Sequence, residues 1–113
     1  MTFERELLKG STESIILSLL LREPMYGYRL AREIEQRSDG YFKFRGGTLY
    51  PALHRLEREG MIDGKWQSTP GMQQRRYYFI TEKGRTSLSR RAAHWRGFAD
   101  AVSRVILPDV SAT

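Results

Sequence analysis

Residues 46–60 of this 113-residue chain limit its fold more than any other segment. Three leucines fall on one stripe of a helix at about 100° per residue: Leu49, Leu53 and Leu56. Because proline lacks an N–H and is tolerated in a first helical turn, Pro51 predicts a helix start near Thr48, whose hydroxyl would cap it. Gly60 can adopt the left-handed conformation that ends a helix. The segment therefore predicts a core-facing helix of about three turns.

The outer side of this predicted helix carries groups suited to nucleic acid. These residues are Pro51, His54 and Arg58, flanked by Thr48, Tyr50 and Arg55. Phosphates attract cationic and hydroxyl donors, and base edges are met by short polar or aromatic groups. The N-terminus of a helix also attracts phosphate through its unpaired N–H groups. An ordinary amphipathic helix is the alternative for this segment taken alone.

The rest of the chain predicts three more helices and one β-hairpin. The helices are expected over residues 3–21, 28–37 and 81–107, with Thr81 as the cap of the last and Pro108 as its end. Strands are expected over 61–68 and 75–80, on either side of a loop over 69–74 with Pro-Gly at its apex. Residues 25–27 are expected to form a turn.

The order helix, helix, helix, hairpin, helix predicts a winged helix-turn-helix, a mainly α fold with a small β-hairpin (α+β). Residues 1–80 would form a DNA-binding domain, 81–108 a C-terminal dimerisation helix and 109–113 a flexible tail. In this fold the third helix enters the major groove and the hairpin, or wing, reaches the neighbouring backbone. The predicted wing has no acidic residue from Gln67 to Thr81 and carries Gln74, Arg75 and Arg76. Because side chains alternate along a strand, one of the two arginines is expected to point outward from the wing.

The net charge of +6 agrees with binding to DNA. Lys43 and Arg45 flank the third predicted helix, and Lys65 lies on the first strand of the wing. Tyr26 and Tyr28, at the start of the second helix, are expected either to reach phosphates or to fill the gap beside the first helix.

Other function classes find little support in the composition. The chain has no cysteine, which argues against a disulfide framework or thiol nucleophile and fits a cytoplasmic location. Its apolar run over 15–21 is far shorter than the ~20 residues of a membrane span. His54 and His94 lie on different predicted helices without metal-ligand spacing. We therefore expect no enzyme activity, metal, cofactor or membrane partner.

The last predicted helix carries an apolar seam typical of a dimer. Its residues recur at intervals of four and three: Leu88, Ala92, Trp95, Ala99, Val102 and Ile106, with Phe98 and Val105 widening the face. This heptad pattern predicts a homodimer held by the C-terminal helix.

Several segments together resemble the short-form members of the PadR family of bacterial transcriptional regulators. They are Ile15-Ile16-Leu17-Ser18-Leu19-Leu20, Tyr26-Gly27-Tyr28, Thr48-Leu49-Tyr50-Pro51-Ala52-Leu53-His54-Arg55-Leu56-Glu57, Gly60-Met61-Ile62, Arg75-Arg76-Tyr77-Tyr78, and Ile80-Thr81 with Gly84. The Leu-Tyr-Pro segment in combination with the Arg-Tyr-Tyr segment is specific to the family. They occur in the right order over nearly the whole chain.

The resemblance implies a homodimeric repressor that binds double-stranded DNA at a near-palindromic operator. It also implies that some members sense aromatic acids or flat cationic drugs, and it places Trp95 where a multidrug-sensing member stacks its ligand. Because a tryptophan within a heptad seam is usually dimer core, we favour that role for Trp95. Two alternatives remain: a sensor whose main role is ligand binding at the dimer interface, and a winged helix that contacts only protein. The second would not need the positive charge of the wing and third helix.

Overall fold

Four helices and three strands make up the part of the chain that the structure describes. The computed structural model covers residues 3–68, 70–71 and 73–111, with side chains over 11–68, 70–71 and 73–107. The elements are α1 (Phe3–Arg22), β1 (Met25–Tyr26), α2 (Gly27–Arg37), α3 (Gly46–Arg58), β2 (Ile62–Ser68), β3 (Gln74–Ile80) and α4 (Glu82–Ser111). This is a winged helix-turn-helix followed by a long C-terminal helix, as predicted.

The core lies between the first three helices and the sheet. The predicted leucine stripe of α3 is confirmed, since Leu49, Leu53 and Leu56 are at most 2% exposed. They meet side chains that α1, α2 and β2 bury as completely: Ile16, Leu17, Leu30, Ile34 and Ile62. Full burial of such a side chain contributes about 1.5–3 kcal/mol, so this cluster holds α3 firmly against the body of the domain.

The N-cap of α3 lies three residues earlier than its sequence predicted. Arg45 is the N-cap, and its carbonyl accepts hydrogen bonds from the amides of Thr48 and Leu49, both at 2.9 Å. Thr48 is therefore inside the first turn, and its prediction as the cap was wrong. Pro51 is the sixth residue of the helix, where its missing N–H leaves the carbonyl of Gly47 without a helical donor. Gly47 is exposed with open space around it, so water can supply that donor.

Met25 and Tyr26 form a strand rather than the predicted turn. They pair antiparallel with Tyr78 and Tyr77 of β3, and the sheet has the order β1-β3-β2. Met25 and Tyr78 are buried on the inner face, while the rings of Tyr26 and Tyr77 meet edge to face at 5.5 Å on the other. A strand of two residues carries no periodic signal, and it forms here because β3 supplies its hydrogen-bonding partner.

The wing consists of β2 and β3 in the register Ile62↔Ile80 to Ser68↔Gln74. Because side chains alternate along a strand, Gly64, Trp66 and Arg76 share the inner face with Tyr78. The turn at Pro70-Gly71 uses a left-handed Gly71, with φ +97°. Thr69 and Met72 of the predicted loop lie outside the described residues.

The junction between α3 and α4 is closed by the predicted caps. Gly60 has φ +77°, and its carbonyl accepts a hydrogen bond from the Thr81 hydroxyl at 2.7 Å. The same hydroxyl accepts the Gly84 amide at 3.1 Å and caps α4. These contacts join the end of the third helix directly to the start of the fourth.

The helix α4 continues to Ser111, so the prediction that Pro108 ends it was wrong. A proline removes one N–H donor from a helix. Arg104, four residues earlier, is exposed, and water can satisfy the carbonyl that Pro108 leaves unpaired. Of the predicted flexible tail, residues 109–111 have helical backbone and residues 112–113 lie outside the described part of the chain.

Candidate nucleic-acid interface

The outer face of α3 projects from the domain opposite the leucine stripe. Pro51, His54 and Arg58 are all exposed, as their spacing predicts. Among the described side chains no carboxylate pairs with Arg58, so its charge is available to an external anion. This face brings together three of the predicted contact residues on a rigidly packed helix.

The ring of Tyr50 lies between α3 and the start of α2. A Cβ atom placed on Gly27 would come within 2.8 Å of the Tyr50 hydroxyl oxygen, which shows how closely the ring covers that glycine. The side chain is nevertheless 45% exposed. Tyr50 therefore packs on the neighbouring helix and leaves nearly half of its surface exposed to solvent. Thr48, on the other flank of α3, is half-buried.

Arg76 is turned inward, toward α3. Its guanidinium forms an ion pair with Glu57 of α3 and lies against Gly64, where an added Cβ would come within 2.5 Å of it. The rings of Trp66 and Tyr78 are each 5.9 Å from the guanidinium carbon. Arg76 therefore links the wing to α3, and the Glu57 carboxylate compensates its charge.

Arg75 is on the outer face of the wing. Its guanidinium lies 4.3 Å from the centre of the Tyr26 ring and donates to the Gln73 side chain at 3.1 Å. No carboxylate within the described residues pairs with it. Strand alternation predicted that one of the two neighbouring arginines would point outward, and the structure shows that it is Arg75.

Burial raises the pKa of the Tyr78 hydroxyl above its ordinary value, although the nearby Arg76 acts in the opposite direction. Tyr78 is 4% exposed, and the centre of its ring lies 5.9 Å from the guanidinium carbon of Arg76. Its phenol is therefore uncharged at physiological pH, which suits a ring packed between the sheet and α3.

Arg55 is held at the flank of α3 by a residue far away in sequence. Its Nε donates to Oε2 of Glu13 on α1 at 3.0 Å. The other oxygen of Glu13 lies 3.3 Å from the Arg91 guanidinium of α4. One carboxylate therefore joins three helices, and nothing in the local sequence pattern indicated it.

The remaining predicted contact residues lie before α3, at the start of α2 and on the wing. Lys43 and Arg45 are exposed before α3, and Lys65 lies 5.4 Å from the Phe79 ring on the outer face of the wing. Gln74 donates to Ser68 at 3.1 Å across the wing. Tyr28 is 64% exposed beside Arg32.

Trp66 was not predicted as a contact residue, although it is 64% exposed on the inner face of the wing. The signal in the sequence was its alternation along β2 with Ile62, which is buried on the same face.

The helix α4 exposes a row of large apolar side chains. The exposed fractions are 58% for Trp95, 56% for Phe98, 37% for Val102, 73% for Val105 and 53% for Ile106. Ala92 is exposed and Ala99 half-buried on the same seam. Leu88, which the sequence also placed in the seam, is 9% exposed and belongs to the core of its own chain. The seam open to a partner therefore lies beyond the first turns of α4.

A mainly apolar cleft of about 870 Å³ lies between α1, the end of α2 and α4. Trp95, Phe98, Tyr41 and Phe42 supply its aromatic lining, and Arg37 and Arg91 each add a positive charge. Among the described residues there is no cluster of histidine and carboxylate side chains suited to a metal ion. No described helix combines the length and apolar character that a membrane span requires.

Comparisons with known proteins agree with this geometry. Residues 16–90 match the model of the "Transcriptional regulator PadR-like family". Transcriptional regulator Rv3488 of Mycobacterium tuberculosis is 32% identical over 85 residues, which cover 75% of this chain and 76% of that protein. A transcriptional regulator from Clostridium thermocellum superposes with a TM-score of 0.81 at 28% identity, covering 89% of this chain and 98% of the other. A PadR-like transcriptional regulator from Bacillus cereus gives 0.80 at 29% identity, covering 89% and 96%.

Proposed function

The chain belongs to the PadR-like family of transcriptional regulators, and we propose that it is a sequence-specific repressor that binds a near-palindromic operator as a homodimer. The observation that supports this most is the exposed outer face of α3, with His54 and Arg58 projecting from a helix fixed by three buried leucines. A helix held in this way can present side chains to base edges in the major groove without losing its position.

The wing supplies the second contact with DNA. Arg75 lies on its outer face, free of a carboxylate among the described residues, while Lys43 and Arg45 add charge before α3. These cations would meet phosphates on either side of the groove that α3 occupies. Contacts to phosphate position the protein, and the residues of α3 carry the sequence preference.

The dimer is supported by the exposed seam of α4. Five large apolar side chains on one helix, from Trp95 to Ile106, form a surface that monomeric proteins rarely leave in water. A second copy of the same seam has the matching heptad spacing, so a symmetric pair covers both. Two α3 helices would then read half-sites about 34–36 Å apart.

The primary experiment is a selection of genomic fragments with the purified protein, followed by fluorescence anisotropy on the recovered operator. We expect Arg58→Ala to weaken operator binding and His54→Ala to relax preference within the half-site, because both residues lie on the outer face of α3. Arg90→Ala, an exposed charge on α4, is the matched control for the loss of one cation. Absence of binding to any duplex at low salt would favour a module that contacts only protein.

A small aromatic effector is a second proposal, supported by the cleft beside Trp95. Its apolar lining with four aromatic rings suits a planar ligand, and α4 connects it to the seam. Because Trp66 also fluoresces, titrations should use a Trp66→Phe protein, in which Trp95 is the remaining tryptophan. Quenching by planar aromatic compounds, together with release of operator, supports an effector; no response leaves Trp95 as dimer core.

The proposed location is the cytoplasm, where a DNA-binding regulator meets its operator. We propose no catalytic activity, cofactor or metal for this chain. These proposals follow from the family and from the charged outer face of α3.

A further inference from the structure

The Glu13 carboxylate of α1 is shared by two arginines that belong to different parts of the proposed machinery. Oε2 accepts a hydrogen bond from Nε of Arg55 on α3 at 3.0 Å, and Oε1 lies 3.3 Å from the guanidinium of Arg91 on α4. The Glu13 side chain is 19% exposed, so water screens these contacts less than those of a surface pair. A change at one arginine therefore alters the hold of Glu13 on the other.

Arg55 has a second use for its charge. Its side chain is 44% exposed and lies on a flank of α3, beside the outer face that carries His54 and Arg58. A guanidinium bound to Glu13 cannot use the same N–H group on a phosphate. The ion pair also compensates the charge of Arg55 and fixes the direction of its guanidinium, so DNA and Glu13 compete for Arg55.

Arg91 competes for Glu13 from the opposite direction. It is fixed by a hydrogen bond to the Ser87 hydroxyl at 2.9 Å and by contact with the Met61 sulfur at 3.8 Å. It also lines the aromatic cleft between α1 and α4. Arg91 therefore connects the cleft to α3: it lines the cleft, and it shares with Arg55 of α3 the carboxylate of Glu13.

We propose that Glu13 is a positioning residue that withholds Arg55 from DNA, and that Arg91 weakens this hold by sharing the carboxylate. The inference rests on the proposed DNA binding and adds a means of regulating it. With Arg91 engaged by Glu13, Arg55 is released more readily to a phosphate. A group in the cleft that takes Arg91 away leaves Glu13 to Arg55 alone, and affinity for DNA falls.

The test compares operator binding by four variants over a range of salt concentrations. Glu13→Gln frees Arg55, so we expect tighter binding and a steeper salt dependence, by about 0.9 in the slope of log affinity against log salt for each added phosphate contact. Adding Arg55→Gln to Glu13→Gln should remove this gain. Arg91→Gln should weaken binding about two- to fivefold per protomer, the size expected from one partly exposed ion pair.

The fourth variant combines Glu13→Gln with Arg91→Gln and measures whether Arg91 acts through Glu13. In the Glu13→Gln background, Arg91→Gln should change affinity no more than Arg90→Gln does, because Arg91 acts through a carboxylate that is then absent. Glu35→Gln and Arg90→Gln are the charge-matched controls, since both residues are exposed and have no ion pair within the described side chains.

Two results would overturn the inference while wild-type protein still binds DNA. One is a Glu13→Gln slope equal to that of Glu35→Gln, and the other is an Arg91→Gln effect that persists undiminished without Glu13. If Glu13→Gln does not fold, as judged by its thermal transition, Arg91→Gln against Arg90→Gln decides alone, because equal affinities exclude competition for Glu13. Failure of the wild-type protein to bind any duplex would instead refute the proposed function.

Discussion

Two glycines of α4 should respond in opposite ways to the same substitution. At Gly84 an added Cβ would lie 2.2 Å from the Met61 carbonyl oxygen and 2.8 Å from Cγ1 of Ile80. At Gly97 nothing lies within 4 Å of the added atom. Both positions are helical, so alanine brings a gain in helix propensity to each, about 1 kcal/mol in the interior at Gly97 and no more than that in the first turn at Gly84. The difference between Gly84→Ala and Gly97→Ala therefore isolates the contact at the junction of α4 with the wing.

The size of the difference in the free energy of unfolding follows from which atoms must move to make room for the added Cβ. The 2.2 Å separation is more than 1 Å shorter than ordinary van der Waals contact, and the obstruction is a backbone carbonyl rather than a flexible side chain. The Met61 amide is itself bonded to the Leu56 carbonyl at 2.9 Å, which ties it to the end of α3. Overpacking of this kind costs about 1–3 kcal/mol, and the fixed backbone places Gly84 at the upper end.

We expect Gly97→Ala to raise the free energy of unfolding by up to about 1 kcal/mol and Gly84→Ala to lower it by about 2 kcal/mol. Thermal and urea unfolding at one fixed protein concentration measure both, with roughly 4 °C of melting temperature per kcal/mol for a chain of this length. Gly97 lies opposite the apolar seam, so dimerisation does not enter the comparison. Equal melting temperatures for the two variants would show that the Gly84 contact is not the constraint that its geometry indicates.

Four further substitutions probe the wing and the seam. Arg75→Ala should reduce the slope of log affinity for DNA against log salt by about 0.9 per copy. Arg76→Ala should lower the free energy of unfolding by about 1 kcal/mol, because Glu57 loses its partner. If the Arg76→Ala protein unfolds like wild type, the ion pair does not link the wing to α3. Val102→Asp should give a monomer by light scattering, and a persistent dimer would exclude the seam. Burial raises the pKa of Tyr78, so its contribution is complete below the unfolded value and is lost as pH rises through the folded one; Tyr78→Phe should lose less stability than wild type between about pH 9 and pH 11, measured by urea unfolding.

Local patterns in the sequence predicted the parts of the fold that depend on local physics. The leucines of α3, the left-handed Gly60 and the Thr81 cap are each specified by neighbours within a few residues, and all three were confirmed. The alternation of the wing strands likewise predicted that Arg75 and Arg76 would diverge. The assignment of the outward role to Arg75 required the position of Glu57, which lies 19 residues away from Arg76.

Two features that the sequence missed depend on distant partners. The strand at Met25 exists because β3 lies beside it, and Arg55 pairs with Glu13 across 42 residues. The start of α3 was misplaced because Pro51 was expected in the first turn, whereas an exposed Gly47 carbonyl permits it in the second. Pairing, solvation and long-range charge are set by the assembled chain, and periodicity does not report them.

The length of α4 turns small tilts into large displacements. Its 30 residues form a rod of about 45 Å, anchored to the domain by Leu88 near one end. A rotation of about 5° at that anchor moves the far end of the helix, about 35 Å beyond Leu88, by roughly 3 Å, close to one base-pair step along DNA. In a pair joined along α4, the angle between α4 and the rest of the domain would therefore set the distance between the two α3 helices. That distance determines which half-site spacing in the operator both protomers can bind.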